Sequence, residues 1–465
     1  MKFSSREALA SSFRDPSGFL FTRDGTIYRQ VNHGYADDYD HLMRSGLYDA
    51  LVKSDLLVPH EEVANDGEAN PDSYKILRPQ PIPFISYPYE WCFSQLKSAA
   101  LVTLRIQRQV LRFGMTLKDA SAYNIQFSGP QPLLIDTLSF ERCREGAPWA
   151  AYKQFCEHYL CPLALMQYRD IRLQQLLRVY IDGIPAHLGS ALLPRWTYVK
   201  FPLLAHIHVH ARSQRHFEKE PRRPSGRKMN RPALLALIEN LERFIEKMQC
   251  PGARGHWKDY YGTHSLYSTE AQRIKQELIQ QFLDEIQPKT LWDVGANTGL
   301  FSRVASSRGI YTISLDMDPL CVEENYLQAA SGKEKDLLPL LMDLTNPSPA
   351  QGWAHQERMS LLERGPANAA LALALVHHLA FGNNLPLPRL ADFFRTLCQH
   401  LLIEFVPKDD PQAQRLLATR GEIFPGYSKQ DFEAAFEQHF RIWRAAKIQD
   451  TDRVMYFMSR KSEVQ

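Results

Sequence analysis

Residues 290–306 read TLWDVGANTGLFSRVAS and hold the densest chemistry in the chain. An apolar strand from Thr290 runs into Asp293, Gly295 and Gly299 punctuate a tight turn around Asn297, and a helix follows. Glycine lets a backbone turn sharply and come close to a ligand. Amides at the start of the following helix then point at that ligand. The next apolar run, YTISL, ends in Asp316, twenty-one residues after Gly295. A carboxylate at the tip of a second strand accepts hydrogen bonds from both hydroxyls of a ribose. Asp318-Pro319 has instead the form of a helix start, because Asp accepts from free amides and Pro suits a first turn.

The ligand with a ribose is not a nicotinamide dinucleotide. That fingerprint needs a glycine where Asn297 stands, to make room for pyrophosphate, and Asp293 would repel one. A carboxylate there suits a ligand with a cationic amino group and no phosphate, which describes S-adenosylmethionine (SAM). The ordered series DVGANTG, LDMDP and LMDL resembles the motifs of class I SAM-dependent methyltransferases over about 235–465. The resemblance implies that Asp293 faces the methionine amino group, with Gly295, Asn297 and Gly299 forming the loop beside it. It implies that Asp316 holds the ribose, that Met317 packs on the adenine, and that Asp343 accepts from the adenine amino group with Leu344 beside the ring.

The run ALALALVHH would be the fourth strand, and in open α/β sheets its carboxyl end borders the reacting group. His377 is therefore the candidate catalytic base, since imidazole titrates near neutrality; His378 is expected to pack under the following helix. Glu404 and Lys408, near the end of the fifth strand, are expected to face the substrate cleft. The Asn-Pro-Pro-aromatic motif of amide and adenine N-methyltransferases is absent after this strand, and NPSP at 346–349 reads as a loop breaker. HWKDYYGTHSLYS, ahead of the glycine loop, reads equally as a lid or as an interface with the first domain.

These residues need a sheet to hold them. Strand candidates at 290–294, 311–315, 337–342, 370–376 and 401–406 alternate with helical segments, a rhythm that argues for a parallel sheet covered on both faces. Phe440–Ile448 and Arg453–Ser459, joined by a short polar turn, read as a hairpin that adds an antiparallel edge. The expected fold is α/β: a Rossmann-like sheet with a terminal antiparallel hairpin, preceded by an α+β domain.

The chain has 465 residues, enough for two to four domains. Its 44% hydrophobic and 23% charged residues exclude a disordered or fibrous chain. A net charge of +3 gives no global argument for nucleic acid or membrane. No run approaches a membrane span, and no signal-peptide core opens the chain. Seven scattered cysteines without a CxxC point to reduced thiols and a cytoplasmic protein. Residues 212–232 hold eight Lys or Arg against two Glu, broken by Pro and Gly, and read as a solvated linker. An RNA-binding arm is the less favoured reading of that stretch. The expected division is thus 1–211, linker 212–232 and 233–465.

The first domain reads as a strand-poor start followed by a helical body. Asp24-Gly25 signals a two-residue hairpin, Tyr39–Val58 a helix, and about 90–113 a long helix. His206, His208 and His210 would share one face of a strand, but nothing completes a zinc site and no metal is expected. In LKDASAYNIQFSGPQPLLIDTLSFE, Asp119, Asn124 and Asp136 have the spacing of the catalytic and metal-binding loops of protein-kinase-like phosphotransferases. The resemblance is to a degenerate member: there is no glycine-rich phosphate loop, and Arg29 is a weak substitute for the phosphate-gripping lysine. DASAYNIQF, IDTLSFE and WDVGANTGLFSR together also resemble a bacterial family related to nodulation-associated methyltransferases of rhizobia. The expected activity is SAM-dependent methyl transfer to an acceptor the sequence does not identify: small molecule, glycan, protein or RNA. The rivals are a SAM-binding scaffold with a pseudokinase domain, and a bifunctional kinase-methyltransferase.

Overall fold

The structure is a computed structural model that describes residues 7–64, 71–212, 229–252, 269–418, 426–449 and 451–462. The chain is a mixed α/β protein with a large mixed sheet. It divides into two compact units, Met1–Ala253 with Gln351–Arg358, and Arg254–Ala350 with Met359–Gln465. Among the described residues, no helix is long and apolar enough to cross a membrane.

The first unit begins with strands β1 (Glu7–Ala8), β2 (Gly18–Arg23), β3 (Thr26–Asn32), β4 (His60–Val63) and β5 (Ser73–Pro79). They form an antiparallel sheet in the order β1-β2-β3-β5-β4. Asp24 and Gly25 both have positive φ, which gives the tight β2–β3 turn the sequence signals. The start is therefore richer in strand than expected. Charged edges such as HEEV of β4 hide the alternation that would reveal it. The helix expected over Tyr39–Val58 is two, Ala36–Arg44 and Leu47–Lys53, because Gly46 turns left-handed at φ 78° between them.

The helix Phe93–Val110 follows, and then β6 (Met115–Leu117), β7 (Ile125–Ser128), β8 (Gln131–Leu134) and β9 (Phe140–Arg142). β7 and β8 form the hairpin between Asn124 and Asp136. His206 and His208 lie on a helical turn rather than a strand, since residues 204–209 are wound as a π-helix. Both are buried, His206 against Tyr152 and Asn240 and His208 against Ser190 and Thr197. Among the described residues, no group of His, Cys, Asp and Glu is placed to hold a metal ion.

Most of the expected linker, 213–228, and the whole of HWKDYYGTHSLYS lie outside the described residues. The helix Arg231–Glu246 starts on Asn230, whose side chain accepts from the Ala233 amide. It packs on Phe93–Val110, with Arg108 paired to Glu242 at 3.0 Å and Lys97 Nζ donating to the Glu246 carbonyl. This helix thus belongs to the first unit, although the expected cut after 232 groups it with the second. The segment Gln351–Arg358 completes the same unit. Arg14 donates to buried Glu357 through Nε and Nη2, at 3.1 and 2.8 Å, and Arg358 lies over the Tyr123 ring.

Among the described residues, the second unit is built on seven strands: β10 (Thr290–Val294), β11 (Tyr311–Asp316), β12 (Leu337–Leu341), β13 (Ala367–Ala372), β14 (Cys398–Phe405), β15 (Phe440–Lys447) and β16 (Val454–Arg460). Their order is β12-β11-β10-β13-β14-β16-β15. The first five in that order are parallel, and β16 runs antiparallel to both β14 and β15. The helix Thr269–Ile286 buries Ile279, Phe282 and Leu283 against Leu291, Leu371, Leu402 and Phe457. Its spacing of apolar residues at three and four positions makes that face. Every strand expected from 290 onward is present. β13 ends earlier than expected, at Ala372, because the chain turns at Ala374, which has φ 48°.

Candidate functional site

The candidate residues of the second unit gather at the carboxyl ends of β10 to β13. Gly295 follows β10 with φ 78°, Asn297 has φ 53°, and Gly299 has φ 77°. A Cβ on Gly295 would come 3.1 Å from Leu375, and one on Gly299 would sit 2.5 Å from the amide of buried Asn325. The two glycines are thus needed for conformation and for space. Gly299→Ala should cost about 1–3 kcal/mol, read as a lower urea midpoint for the second unit; an unchanged midpoint would show that the turn relaxes freely.

Asp316 closes the loop from the neighbouring strand. Its Oδ2 accepts from the Asn297 amide at 2.7 Å and its Oδ1 from the Asp318 amide at 2.9 Å. Burial pushes its carboxyl above the usual carboxylate range, partly offset by those amides. Asp318 caps the helix Pro319–Gly332 by accepting from Leu320, as its sequence context suggests. Met317, between them, is 67% exposed. Asp343 follows β12 and accepts from both the amide and the hydroxyl of Thr345. Beside it, Leu344, Thr345, Leu379, Leu385, Arg389 and Phe393 line a cleft of about 210 Å³.

Asp293 is buried, with Ser302 Oγ donating to its Oδ2 at 2.6 Å. Ser302 Oγ also lies 3.0 Å from Ser314 Oγ, which accepts from Asn325 Nδ2 at 2.8 Å. Burial pushes the Asp293 carboxyl up to about 7, with the Asp316 charge adding to the effect. Ser302, Ser314 and Asn325 were not singled out in the sequence. Their only signal is small polar residues within an apolar strand and two helices.

His377 follows the Ala374 turn. It is 1% exposed, and among the described residues neither ring nitrogen has a hydrogen-bond partner. Burial, then His378 and Arg453, lower its pKa to about 3, so the ring is neutral. Glu404 does not face a cleft. It is fully buried at the end of β14, where its Oε2 accepts from Lys275 Nζ at 2.7 Å and from the Ala374 amide at 2.9 Å. Its Oε1 lies 3.3 Å from Arg453 Nη1, and Arg453 also reaches both oxygens of Asp410. Burial lowers Lys275 to about 8 against the pull of Glu404. This network anchors the turn that leads into His377.

In the first unit, Asp119, Asn124 and Asp136 are also brought together. Asn124 and Gln154 bond to Asp119, and Asn124 Nδ2 reaches Ser139 Oγ at 3.3 Å. Ser139 Oγ in turn donates to Asp136 Oδ2 at 2.5 Å. Burial raises the Asp119 pKa, and the Asp136 charge adds to that.

The glycine loop, the strand-tip carboxylate Asp316 and Asp343 after β12 thus lie together at one end of an α/β sheet. No protein-family model matches the chain. Nodulation protein NoeA of Rhizobium meliloti (strain 1021) is 32% identical over 469 residues, spanning 97% of this chain and 96% of the relative. The chain belongs to the family of nodulation protein NoeA. Among solved structures, the bifunctional kinase-methyltransferase WbdD is 16% identical over 44% of this chain and 42% of its own, with a TM-score of 0.30. Magnesium protoporphyrin IX methyltransferase ChlM of Synechocystis PCC 6803, with bound SAH, is 16% identical over 44% of this chain and 93% of its own, with a TM-score of 0.32.

Proposed function

We propose that the chain is a SAM-dependent methyltransferase whose second unit holds the cofactor. The observation that carries this reading is the junction of β10 and β11, where the Asp316 carboxylate and the positive-φ glycine loop meet through the Asn297 amide. The strand order, with parallel β10 to β14 and an antiparallel terminal hairpin, supports it, because it matches the class I methyltransferases the motifs resemble. The residues fit the cofactor. Each Asp316 oxygen keeps acceptor capacity beyond its amide bond, enough for the ribose hydroxyls. Exposed Met317 and cleft-lining Leu344 offer apolar faces for an adenine, and Asp343 an acceptor for its amino group. Gly295, Asn297 and Gly299 would form the loop beside the amino acid end, which Asp293 would face. When bound, SAM supplies a methyl group on a positively charged sulfur.

The protein's share of the work is positioning and exclusion of water. His377, buried and held neutral, would orient the methyl acceptor by accepting a hydrogen bond from it, and the proton that the acceptor loses leaves to solvent. The first unit recognises the acceptor or a partner. The seven cysteines, scattered and without a CxxC, fit a reducing, cytoplasmic setting.

The test is transfer of labelled methyl from SAM into fractionated lysate, with the labelled fraction assigned to protein, RNA or small molecule. SAM binding without label in any fraction would favour the scaffold reading instead. A second outcome concerns pH. Asp293 is a neutral acid below about 7 and a carboxylate above it. If the carboxylate faces the ammonium of SAM, affinity should fall as pH drops below that value, by up to about tenfold per pH unit. Asp293→Asn should bind weakly at every pH. A wild-type affinity flat between about pH 8 and 6 would remove Asp293 from the site.

A further inference from the structure

Two neighbouring carboxylates and a carboxamide form an oxygen donor set of the kind a divalent cation takes. Asp119, Asp136 and Asn124 are such a set. Yet the set already holds a cation of its own. Arg29, on β3, places Nη1 2.5 Å from Asp136 Oδ1, with the two side chains only 13% and 12% exposed. The Leu138 amide donates to that same oxygen at 3.3 Å, and Ser139 Oγ to the other at 2.5 Å. Both oxygens of Asp136 therefore face donors.

The position of Arg29 is fixed by the sheet. It is registered opposite Leu20 of β2 on one side and Leu77 of β5 on the other. A guanidinium stays protonated at any pH the fold survives, and its planar fork suits a carboxylate. A metal ion entering here would have to displace a buried charge that cannot neutralise itself.

We infer that Arg29 is a built-in counter-ion standing where a divalent metal would sit in the Asp119–Asn124–Asp136 cluster. This cluster is then metal-free and carries no metal-dependent phosphotransfer, and cutting back Arg29 opens a divalent-cation site. The inference is independent of the methyl-transfer reading.

The test is Mn²⁺ titrated into the full chain, with free hexaaqua Mn²⁺ followed by electron paramagnetic resonance. The wild-type chain should leave the free signal undiminished. Arg29→Met should bind Mn²⁺ at least about tenfold more tightly than wild type, and Arg29→Met with Asp136→Asn should lose that gain. If Arg29→Met does not fold, Arg29→Gln, which keeps a donor without the charge, is read in the same way. Wild-type depletion that disappears in Asp136→Asn would overturn the inference, because the carboxylate would then be open to metal. A folded uncharged variant that depletes no Mn²⁺ would overturn it equally.

Discussion

Glu404→Ala should destabilise the second unit by about 3–5 kcal/mol, the usual cost of stripping one partner from a buried ion pair. Three groups lose an acceptor at once: Lys275, Arg453 and the Ala374 amide. Lys275 can respond by shedding its proton, because burial already holds it at about 8. Arg453 cannot, though its bonds to Asp410 remain. Glu404→Gln keeps an acceptor for the Ala374 amide and should cost less. Lys275→Met added to Glu404→Gln should recover much of the loss, since a buried pair replaced by groups of similar shape is often near neutral. Chemical denaturation of the four chains checks this. A Glu404→Ala loss below about 1 kcal/mol would mean that the pair behaves as a solvated one.

Asp316→Ala should weaken SAM binding at least about tenfold, and more if both ribose bonds count fully at roughly 1.5–3 kcal/mol each. The substitution also frees the Asn297 and Asp318 amides. Asp316→Asn, which keeps a side-chain oxygen, should therefore fall between wild type and Asp316→Ala. Calorimetry on the folded variants reads the difference directly. An affinity unchanged by Asp316→Ala would sink the cofactor assignment, and the strand-tip carboxylate would be left with a purely structural task.

The sequence discloses the second unit well because its signals are local. Glycines with positive φ, acids that end apolar runs and strands separated by helices all lie within a few residues of one another. Where contacts are distant, reading fails. The run ALALALVHH looks like strand to Val376, yet β13 stops at Ala372, because Glu404, thirty residues away, holds the Ala374 amide. Glu404 itself looks like a cleft residue, since its partners Lys275 and Arg453 stand 129 and 49 positions off. Arg29 looked like a poor stand-in for a missing lysine, and only the sheet shows it paired with Asp136. The helix Arg231–Glu246 follows a basic, proline-broken stretch and so reads as the start of something new, while its packing ties it to Phe93–Val110.

The segment Gln351–Arg358 also sets a timetable for synthesis. The first unit is complete in sequence only when that segment has been made, just over a hundred residues after Ala253. At ribosomal speeds of about 5–20 residues per second, that is a delay of roughly 5–20 s. Until then Arg14 waits for Glu357, and the face of Tyr123 waits for Arg358. Nascent chains halted at residue 253 should be cleaved by protease more readily than the same residues in the finished protein. The amino-terminal half is born first, yet it is finished only after most of the first stretch of the second unit has already been made.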